Sequence, residues 1–332
     1  MAMVLGLGAV LVAASTFHEP VFGQPSPSIA APPATGSSAP ALATAGPTAT
    51  PEPTASPSQA PALGTPDVSA SAGAGSCLPG FDATCPVIPA PTAAPSADPS
   101  TNRAVILHVP ILEYHRVKPL SGESGYAVDL VVPPDIFAAQ MDALRAAGWQ
   151  TITMGQLGDY LRLGTQPSPR SFVISFDDGY EDGYSYAFPI LQREGFVATF
   201  FVIAGRIGQA DFLTSSEMRD LVAAGNEIGN HSISHVDLRV MTPERLVKET
   251  YGASTIIAGD VGVWPQSFSY PIGLTNPAVS DAVAATPGIL TAVIQGGSKT
   301  ETWANRLDLP RLRVGPGTYP PDLVERLNWY LP

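Results

Sequence analysis

The sequence predicts an α/β fold of parallel strands wrapped by helices, on the evidence of alternating segment types and clear helix-start signals. From residue 104 onward, short apolar runs typical of buried strands alternate with segments whose apolar residues recur every three to four positions. Thr214 and Glu217 have the spacing of a capping box, and Thr242-Pro243 places proline at a first helical position. Repeated β–α order predicts parallel strands joined by helices. Order alone leaves an open sheet and a closed barrel as alternatives.

The individual elements follow from local apolar patterns. Strands are predicted over residues 104–112, 150–154, 172–176 and 196–203. Helices are predicted over residues 133–147, 157–161, 184–193 and 214–224. In the first of these helices, Phe137, Met141 and Leu144 share one face. His108 falls in the middle of the first predicted strand, so we expect it to be buried or structural.

The chain before residue 103 differs sharply in composition from the chain after it. Residues 25–100 hold 17 of the 35 prolines among Ala, Ser, Thr and Gly, a composition with too few large apolar side chains to offset the entropy of ordering. We therefore predict a disordered linker over residues 24–102 and a folded domain over 103–332. Residues 1–23 are predicted to be a signal peptide, with an uncleaved signal anchor as the alternative.

The two cysteines fall within the predicted linker. Cys77 and Cys85 are the only cysteines of the chain, and export would favour a small disulfide loop between them. They are remote in sequence from the His and Asp residues described next, so we do not assign them to a metal. Export to the extracellular space or cell surface, with possible attachment to the membrane through residues 1–23, is the predicted localisation.

Charge argues against a nucleic-acid or anionic-membrane partner for the folded part. All 17 Lys and Arg residues lie at or after Arg103, together with 24 of the 29 acidic residues, so residues 103–332 carry a net charge of −7. This balance is compatible with a neutral or partly cationic glycan. It does not identify a substrate.

Two short motifs carry the chemistry. The apolar strand 172–176 ends in Asp177-Asp178-Gly179, and His231 and His235 lie four residues apart. One Asp and two His are ligands typical of a catalytic divalent ion, and a second Asp is then free to accept a proton. Each motif alone is ambiguous, because Asp-Asp-Gly is common in turns and paired histidines occur by chance. Together they indicate metal-assisted hydrolysis.

These motifs strongly resemble those of the polysaccharide deacetylase family, which shares the NodB homology domain (carbohydrate esterase family 4). The resemblance covers roughly residues 103–315. Its first motif corresponds to residues 175–180 and its second to 231–235, with similar segments at 188–191, 198–202 and 221–230. It implies a distorted (β/α) barrel of about seven strands, with the site at the carboxyl ends of the strands. Consecutive strand side chains point to opposite faces, so we expect a bend at Gly179 to bring both carboxylates into one cavity.

The resemblance also implies roles for the motif residues. Asp178, His231 and His235 correspond to the metal ligands and Asp177 to the catalytic base. The expected cofactor is one divalent ion: zinc suits this ligand set, as do cobalt and nickel. A third motif aligns with residues 268–273 and implies that the backbone N–H of Ile272 stabilises an oxyanion.

The sequence departs from the family pattern in the third motif and near the carboxyl end. Ser269 replaces the usual arginine, so what orients Asp177 is open; Arg311 is a candidate substitute, with a plain surface charge as the alternative. No histidine follows His235, where many members have their general acid. His115 is the candidate acid, because residues 109–116 look like the start of the poly-N-acetylglucosamine deacetylase branch. A structural hydrogen-bonding role is the alternative for His115.

Three functions remain as hypotheses from the sequence. The leading one is removal of N-acetyl groups from an N-acetylglucosamine polymer such as poly-N-acetylglucosamine, peptidoglycan or a chitin-like chain. The second is O-deacetylation of a polysaccharide such as acetylxylan. The third is an inactive cell-surface glycan-binding relative, against which the complete set of Asp177, Asp178, His231 and His235 argues.

Overall fold

The computed structural model of the chain describes residues 105–297 and 300–331. The predicted signal segment 1–23, the linker 24–102 and the Cys77–Cys85 loop lie outside these residues.

Seven parallel strands form a closed barrel. The ring runs β1–β10–β9–β8–β7–β6–β5 and closes where β5 pairs with β1 in parallel, while β4 pairs with the start of β5 outside the ring. The expected barrel is therefore confirmed, and the open sheet is excluded. The strands are β1 Ile111–Tyr114, β2 Arg116–Val117, β3 Val131–Val132, β4 Gln150–Thr151, β5 Ser171–Phe176, β6 Thr199–Val202, β7 Glu227–Asn230, β8 Ser267–Ser269, β9 Thr291–Gln295 and β10 Leu309–Arg313.

Helices cover the outside of the barrel. They are α1 Pro134–Ala146, α2 Met154–Leu163, α3 Phe188–Glu194, α4 Ser215–Ala223, α5 Pro243–Val247, α6 Ala253–Val261, α7 Pro277–Ala284 and α8 Pro320–Asn328. Short 3₁₀ helices cover Gly125–Leu130, Ala204–Arg206, Leu238–Val240 and Pro271–Gly273, and π-helical turns cover Gly183–Ala187 and Lys248–Gly252. The predicted capping box is present, since the Thr214 side chain accepts from Glu217 N and Glu217 reaches back to Thr214 N. Thr242 caps α5 as expected.

The barrel interior changes character from one end to the other. Apolar side chains of five ring strands pack together in its amino-terminal half, and Leu107 and Val109 from the segment before β1 pack against them: Ile111, Val173, Phe201, Val293 and Leu309. Because side chains alternate along a strand, residues two positions further on point the same way. In β1 and β10 those residues are Glu113 and Arg311, so the carboxyl-terminal half of the interior is charged.

The observed strands are shorter than predicted at three places. The first predicted strand, 104–112, is replaced by β1 at Ile111–Tyr114, preceded by an isolated antiparallel bridge between Leu107 and Glu301. His108 is exposed and outside any strand, so the prediction of a buried position is wrong. The sequence predicts the strand too early because Leu107 and Val109 are apolar and buried. They are buried by packing across the amino-terminal end of the barrel, not by pairing within the ring.

Helix composition bears on membrane attachment only for the described part of the chain. Among the helices within residues 105–297 and 300–331, none combines the length and apolar character needed to cross a membrane.

Candidate active site

A cavity of about 200 Å³ opens at the carboxyl ends of the barrel strands. Its charged and titratable lining comes from β1, β10 and the segments that follow β5 and β7: Glu113, His115, Asp177, Asp178, His231, His235, Arg311 and Arg313. Tyr126, Leu130, Ile272, Gly273 and Gln295 complete the lining. All seven residues that the sequence indicated for the site lie in this cavity.

A sharp turn after β5 brings both aspartates to the cavity. Asp177 N still donates to Tyr114 O at 3.0 Å, as if the strand continued, but Asp178 takes a left-handed conformation with φ of 73°. Gly179 follows with φ of 75°, and a Cβ there would meet Val202 Cγ1 at 2.9 Å. The bend thus begins at Asp178 itself rather than at Gly179 alone. Strain at a non-glycine residue is typical of functional sites, where the surrounding structure holds it in place.

The histidine segment after β7 is organised by two buried polar side chains. Asn230 donates from Nδ2 to Thr250 O and accepts from Ser232 N, both at 2.8 Å. Glu249 accepts from the backbone N–H of Ile233 and of Ser234, each at 3.0 Å, and from the Ser234 hydroxyl at 2.7 Å. These bonds fix the backbone that carries His231 and His235.

Asp178, His231 and His235 are placed to hold a metal ion. The Oδ1 atom of Asp178 lies 3.5 Å from His231 Nε2 and 3.4 Å from His235 Nε2. Two ligands of a tetrahedral zinc at its usual bond lengths are about 3.4 Å apart, so these separations fit. The three ligand atoms lie within 4.8 Å of one another.

The tautomer of His231 also suits a ligand. Its Nδ1 lies 2.7 Å from the carbonyl oxygen of Ser269, which can only accept a hydrogen bond. Nδ1 therefore carries a proton, and Nε2 faces the carboxylate of Asp178. Orientation of a ligand histidine by a backbone carbonyl is typical of metal centres.

Arg311 holds the other aspartate. Its Nη1 donates to Asp177 Oδ1 at 2.8 Å and its Nη2 donates to Oδ2 at 2.7 Å. The Ser269 hydroxyl donates to Oδ2 at 3.2 Å. Arg311 is buried, so it is not a plain surface charge. The arginine that the third motif lacks at Ser269 thus has a counterpart on β10, and Ser269 itself contacts the same carboxylate.

The contacts of Asp177 and His231 explain the direction in which the pKa of each is shifted. Burial would raise the pKa of Asp177, but the Arg311 guanidinium and then His231 hold it well below its usual range. Burial would lower the pKa of His231, but the carboxylates of Asp177 and Asp178 raise it overall. Asp177 is therefore ionised, and the space between the two aspartates and the histidines favours a cation.

His115 lies beside this charged network. It directly follows β1, and its Nδ1 is 4.0 Å from Glu113 Oε1. Burial lowers the pKa of His115, and the carboxylates of Asp177, Asp178 and Glu113 oppose that change. The carboxylates do not cancel the effect of burial, and the Arg311 guanidinium adds to it, so the pKa of His115 lies below its ordinary value.

Ile272 forms part of the rim in an unusual conformation. It lies in the 3₁₀ turn Pro271–Gly273 with φ of 56° and is 48% exposed. A β-branched residue at positive φ is rare. Of the five described non-glycine residues with positive φ, four belong to this site: Asp178, Ser232, His235 and Ile272.

Sequence analysis missed two buried carboxylates that support the site. Glu113 is 2% exposed and faces Arg311 Nε at 3.5 Å and Arg313 Nη1 at 3.8 Å. A charged residue within an apolar strand was the available signal for Glu113. Glu249 had no such signal, because its position in a polar helical stretch is ordinary.

Sequence comparison identifies relatives of known class. The polysaccharide deacetylase family profile matches residues 164–288. The Bacillus subtilis protein YxkH, named as a polysaccharide deacetylase, is 33% identical over 214 residues, which cover 63% of this chain and 72% of YxkH. Poly-beta-1,6-N-acetyl-D-glucosamine N-deacetylase of Staphylococcus aureus is 23% identical over 188 residues, covering 50% of this chain and 64% of that protein.

Structural comparison gives the same fold. The deacetylase PplD of Streptococcus pyogenes, solved in complex with acetate, superposes with a TM-score of 0.63 at 26% identity. The superposition covers 68% of this chain and 99% of that one.

Proposed function

The chain belongs to the polysaccharide deacetylase family, and from this premise we propose that it is a metal-dependent hydrolase that removes N-acetyl groups from an N-acetylglucosamine-containing polysaccharide. One observation carries the proposal: three residues that could hold a metal ion lie beside an ionised carboxylate, which a buried arginine keeps apart from them. The three residues are Asp178, His231 and His235. The ionised carboxylate is Asp177, which Arg311 binds. A glycan-binding module would have no need of the second carboxylate.

The metal site would hold one divalent ion, for which zinc is our proposal. When bound, such an ion lowers the pKa of water and polarises a carbonyl group. The fit of the donor set rests on the Asp178–imidazole separations and on the fixed tautomer of His231. Cobalt and nickel suit the same donors.

The remaining residues would divide the proton transfers between them. Asp177 accepts a proton from the attacking water, and Arg311 keeps that carboxylate ionised and oriented. As the water oxygen bonds to the acetyl carbon, negative charge develops on the carbonyl oxygen, and the N–H of Ile272 is the proposed donor to it. The C–N bond then breaks, His115 donates a proton to the leaving amine, and acetate is released.

The substrate class is supported by the relatives. The staphylococcal protein is named for a β-1,6-linked N-acetylglucosamine polymer, although the chain spans 64% of its length. Peptidoglycan and chitin-like chains share the acetamido sugar. Such polymers lie outside the cell, and we propose export through residues 1–23, with residues 24–102 as the linker; cell fractionation would test this.

Acetate release with controlled metal content tests the function. The purified chain should release acetate from β-1,4- or β-1,6-linked N-acetylglucosamine pentamers, lose this activity on chelation, and regain it with zinc or cobalt. Asp178→Ala should lose both bound metal and activity, whereas Asp177→Asn should lose activity and keep the metal. Asp159→Asn, on the exposed face of α2, is the matched control.

The outcomes separate the alternatives. Full activity in a metal-free preparation would exclude the mechanism. Turnover of acetylxylan without turnover of the pentamers would replace the amide substrate with an ester. Bound metal and pentamer binding without any acetate release would indicate a glycan-binding protein.

A further inference from the structure

Tyr126 is an exposed aromatic side chain at the mouth of the catalytic cavity. It belongs to the 3₁₀ helix Gly125–Leu130, which connects β2 to β3, and it is 66% exposed although it lines the cavity. Nothing in the mechanism above uses it. A solvated tyrosine without a function is the ordinary alternative, since single exposed apolar side chains are common.

The ring is supported from one side by the charged network of the barrel. The guanidinium of Arg313 lies over the Tyr126 ring, 5.2 Å from its centroid. Arg313 ends β10 and in turn lies 3.8 Å from the buried carboxylate of Glu113. A cation on one face orients the ring and leaves the rest of it to solvent. The Tyr126 ring is thus held against β10, the strand that also carries Arg311.

Its neighbours on the rim are apolar as well. Ile272, exposed and held at positive φ, and the half-buried Leu130 line the same cavity. The charged floor of the cavity suits a polar acetamido group, whereas the rim of the cavity presents apolar side chains. A pyranose ring has the complementary pattern, with C–H groups on its faces and polar groups at its edge.

We propose that Tyr126 is a substrate-positioning residue that stacks on a pyranose ring of the glycan next to the reacting acetamido group. This inference rests on the proposed function, because it takes the polysaccharide as the ligand. Stacking on an aromatic face contributes to substrate binding without taking part in proton transfer, so its loss should raise KM and leave kcat nearly unchanged.

Steady-state kinetics on three variants test the inference. With β-1,4- and β-1,6-linked N-acetylglucosamine pentamers, Tyr126→Ala should raise KM about 5- to 20-fold for the pentamer that is turned over, with kcat within about threefold. Tyr126→Phe should stay within about threefold in KM, because the ring face and not the hydroxyl makes the contact. Tyr319→Ala is the matched control, since Tyr319 is equally exposed (67%) and does not line the cavity.

Each outcome has a definite meaning. An unchanged KM in Tyr126→Ala would overturn the stacking role while leaving the proposed function intact. A fall in kcat or in bound zinc would show instead that Tyr126 supports the catalytic residues. A loss in Tyr126→Phe equal to that in Tyr126→Ala would assign the effect to the hydroxyl. Absence of acetate release from both pentamers by the wild-type chain would overturn the proposed function first, and this inference with it.

Discussion

Asp177 and Asp178 are neighbours in sequence but have different partners. Asp177 is neutralised by the protein's own cation, Arg311, through two short hydrogen bonds. Asp178 faces two imidazoles at distances that leave room for an ion. The Arg311 guanidinium occupies both oxygens of Asp177, so under the proposed function the turn at Asp178 would place the base and the metal ligand in different surroundings.

The Arg311–Asp177 pair gives the first prediction at this scale. Arg311→Lys should lower kcat about 10- to 100-fold while bound metal is retained, because an ammonium cannot bind both carboxylate oxygens in the planar arrangement of a guanidinium. Acetate release and metal analysis on the same preparation would measure this. Arg162→Lys, a surface pair of α2, is the control. Equal kcat in both variants would show that Arg311 does not orient the base.

His115 gives the second prediction. His115→Ala should lower amide hydrolysis by roughly 10²–10⁴-fold, the usual contribution of general acid catalysis, with bound metal unchanged. Because an ester leaving group needs less proton transfer, hydrolysis of an O-acetylated sugar by the same variant should fall less. Near-normal amide turnover in His115→Ala would require another proton donor.

At the scale of the element, the segment after β7 shows how a side chain from a neighbouring helical turn fixes the backbone around two histidines. Glu249 lies on the π-helical turn Lys248–Gly252 and accepts three hydrogen bonds from Ile233 and Ser234. His231 and His235 flank those two residues. The Glu249 carboxylate thus fixes the backbone between the two histidines, where no helix or strand does so.

Substitution of Glu249 should weaken metal binding. Glu249→Gln removes one acceptor and should raise the zinc dissociation constant about 10- to 100-fold, the usual effect of losing an outer contact of a metal centre. Titration with a competing chelator would measure it. Glu244→Gln, on the exposed face of α5, should bind zinc like the wild type. Unchanged affinity in Glu249→Gln would show that the segment holds its shape without this carboxylate.

The elements also show which features the sequence can predict. Phe137, Met141 and Leu144 repeat with a helical period and are all buried in α1, because one helix face is enough to determine them. The cavity depends instead on which strands become neighbours in the ring. Glu113 and Arg311 are 198 positions apart, and only the pairing of β1 with β10 brings them together. Local pattern contains no information on that pairing; the resemblance implied a barrel but not which strands are neighbours in it.

At the scale of the whole molecule, the two ends of the barrel differ in chemistry. The carboxyl end is charged and open, whereas the amino end is closed by Leu107 and Val109 with Glu301 beside them. Glu301 is 1% exposed, and its Oε2 accepts from Val109 N at 3.0 Å. The described residues include no cation paired with Glu301, and a buried carboxyl without such a partner is unusual.

Glu301 predicts a pH dependence of stability. Burial raises its pKa from 4.5 to about 8, so the folded state binds this proton more tightly than the unfolded state. Its contribution is therefore fully present below about pH 4.5 and is lost as pH rises through 8. Glu301→Gln should match the wild type near pH 5 and exceed it by about 1–3 kcal/mol at pH 9. The carboxylate of Glu301 also raises the pKa of the Tyr330 phenol, so the two groups interact.

Thermal unfolding from pH 5 to pH 9 would measure this difference. Glu325→Gln, an exposed substitution on α8, should show no such divergence. A constant difference between Glu301→Gln and wild type across this range would show that Glu301 does not titrate there.

The buried segment at the amino end of the barrel also fixes where the described part of the chain begins. Residue 105 enters at the barrel end farthest from the catalytic cavity, since Leu107 pairs with Glu301 beneath β1. The cavity mouth and residue 105 therefore lie at opposite ends of the barrel. Under the proposed function, a glycan would reach the cavity from the end opposite to the one at which the described chain begins.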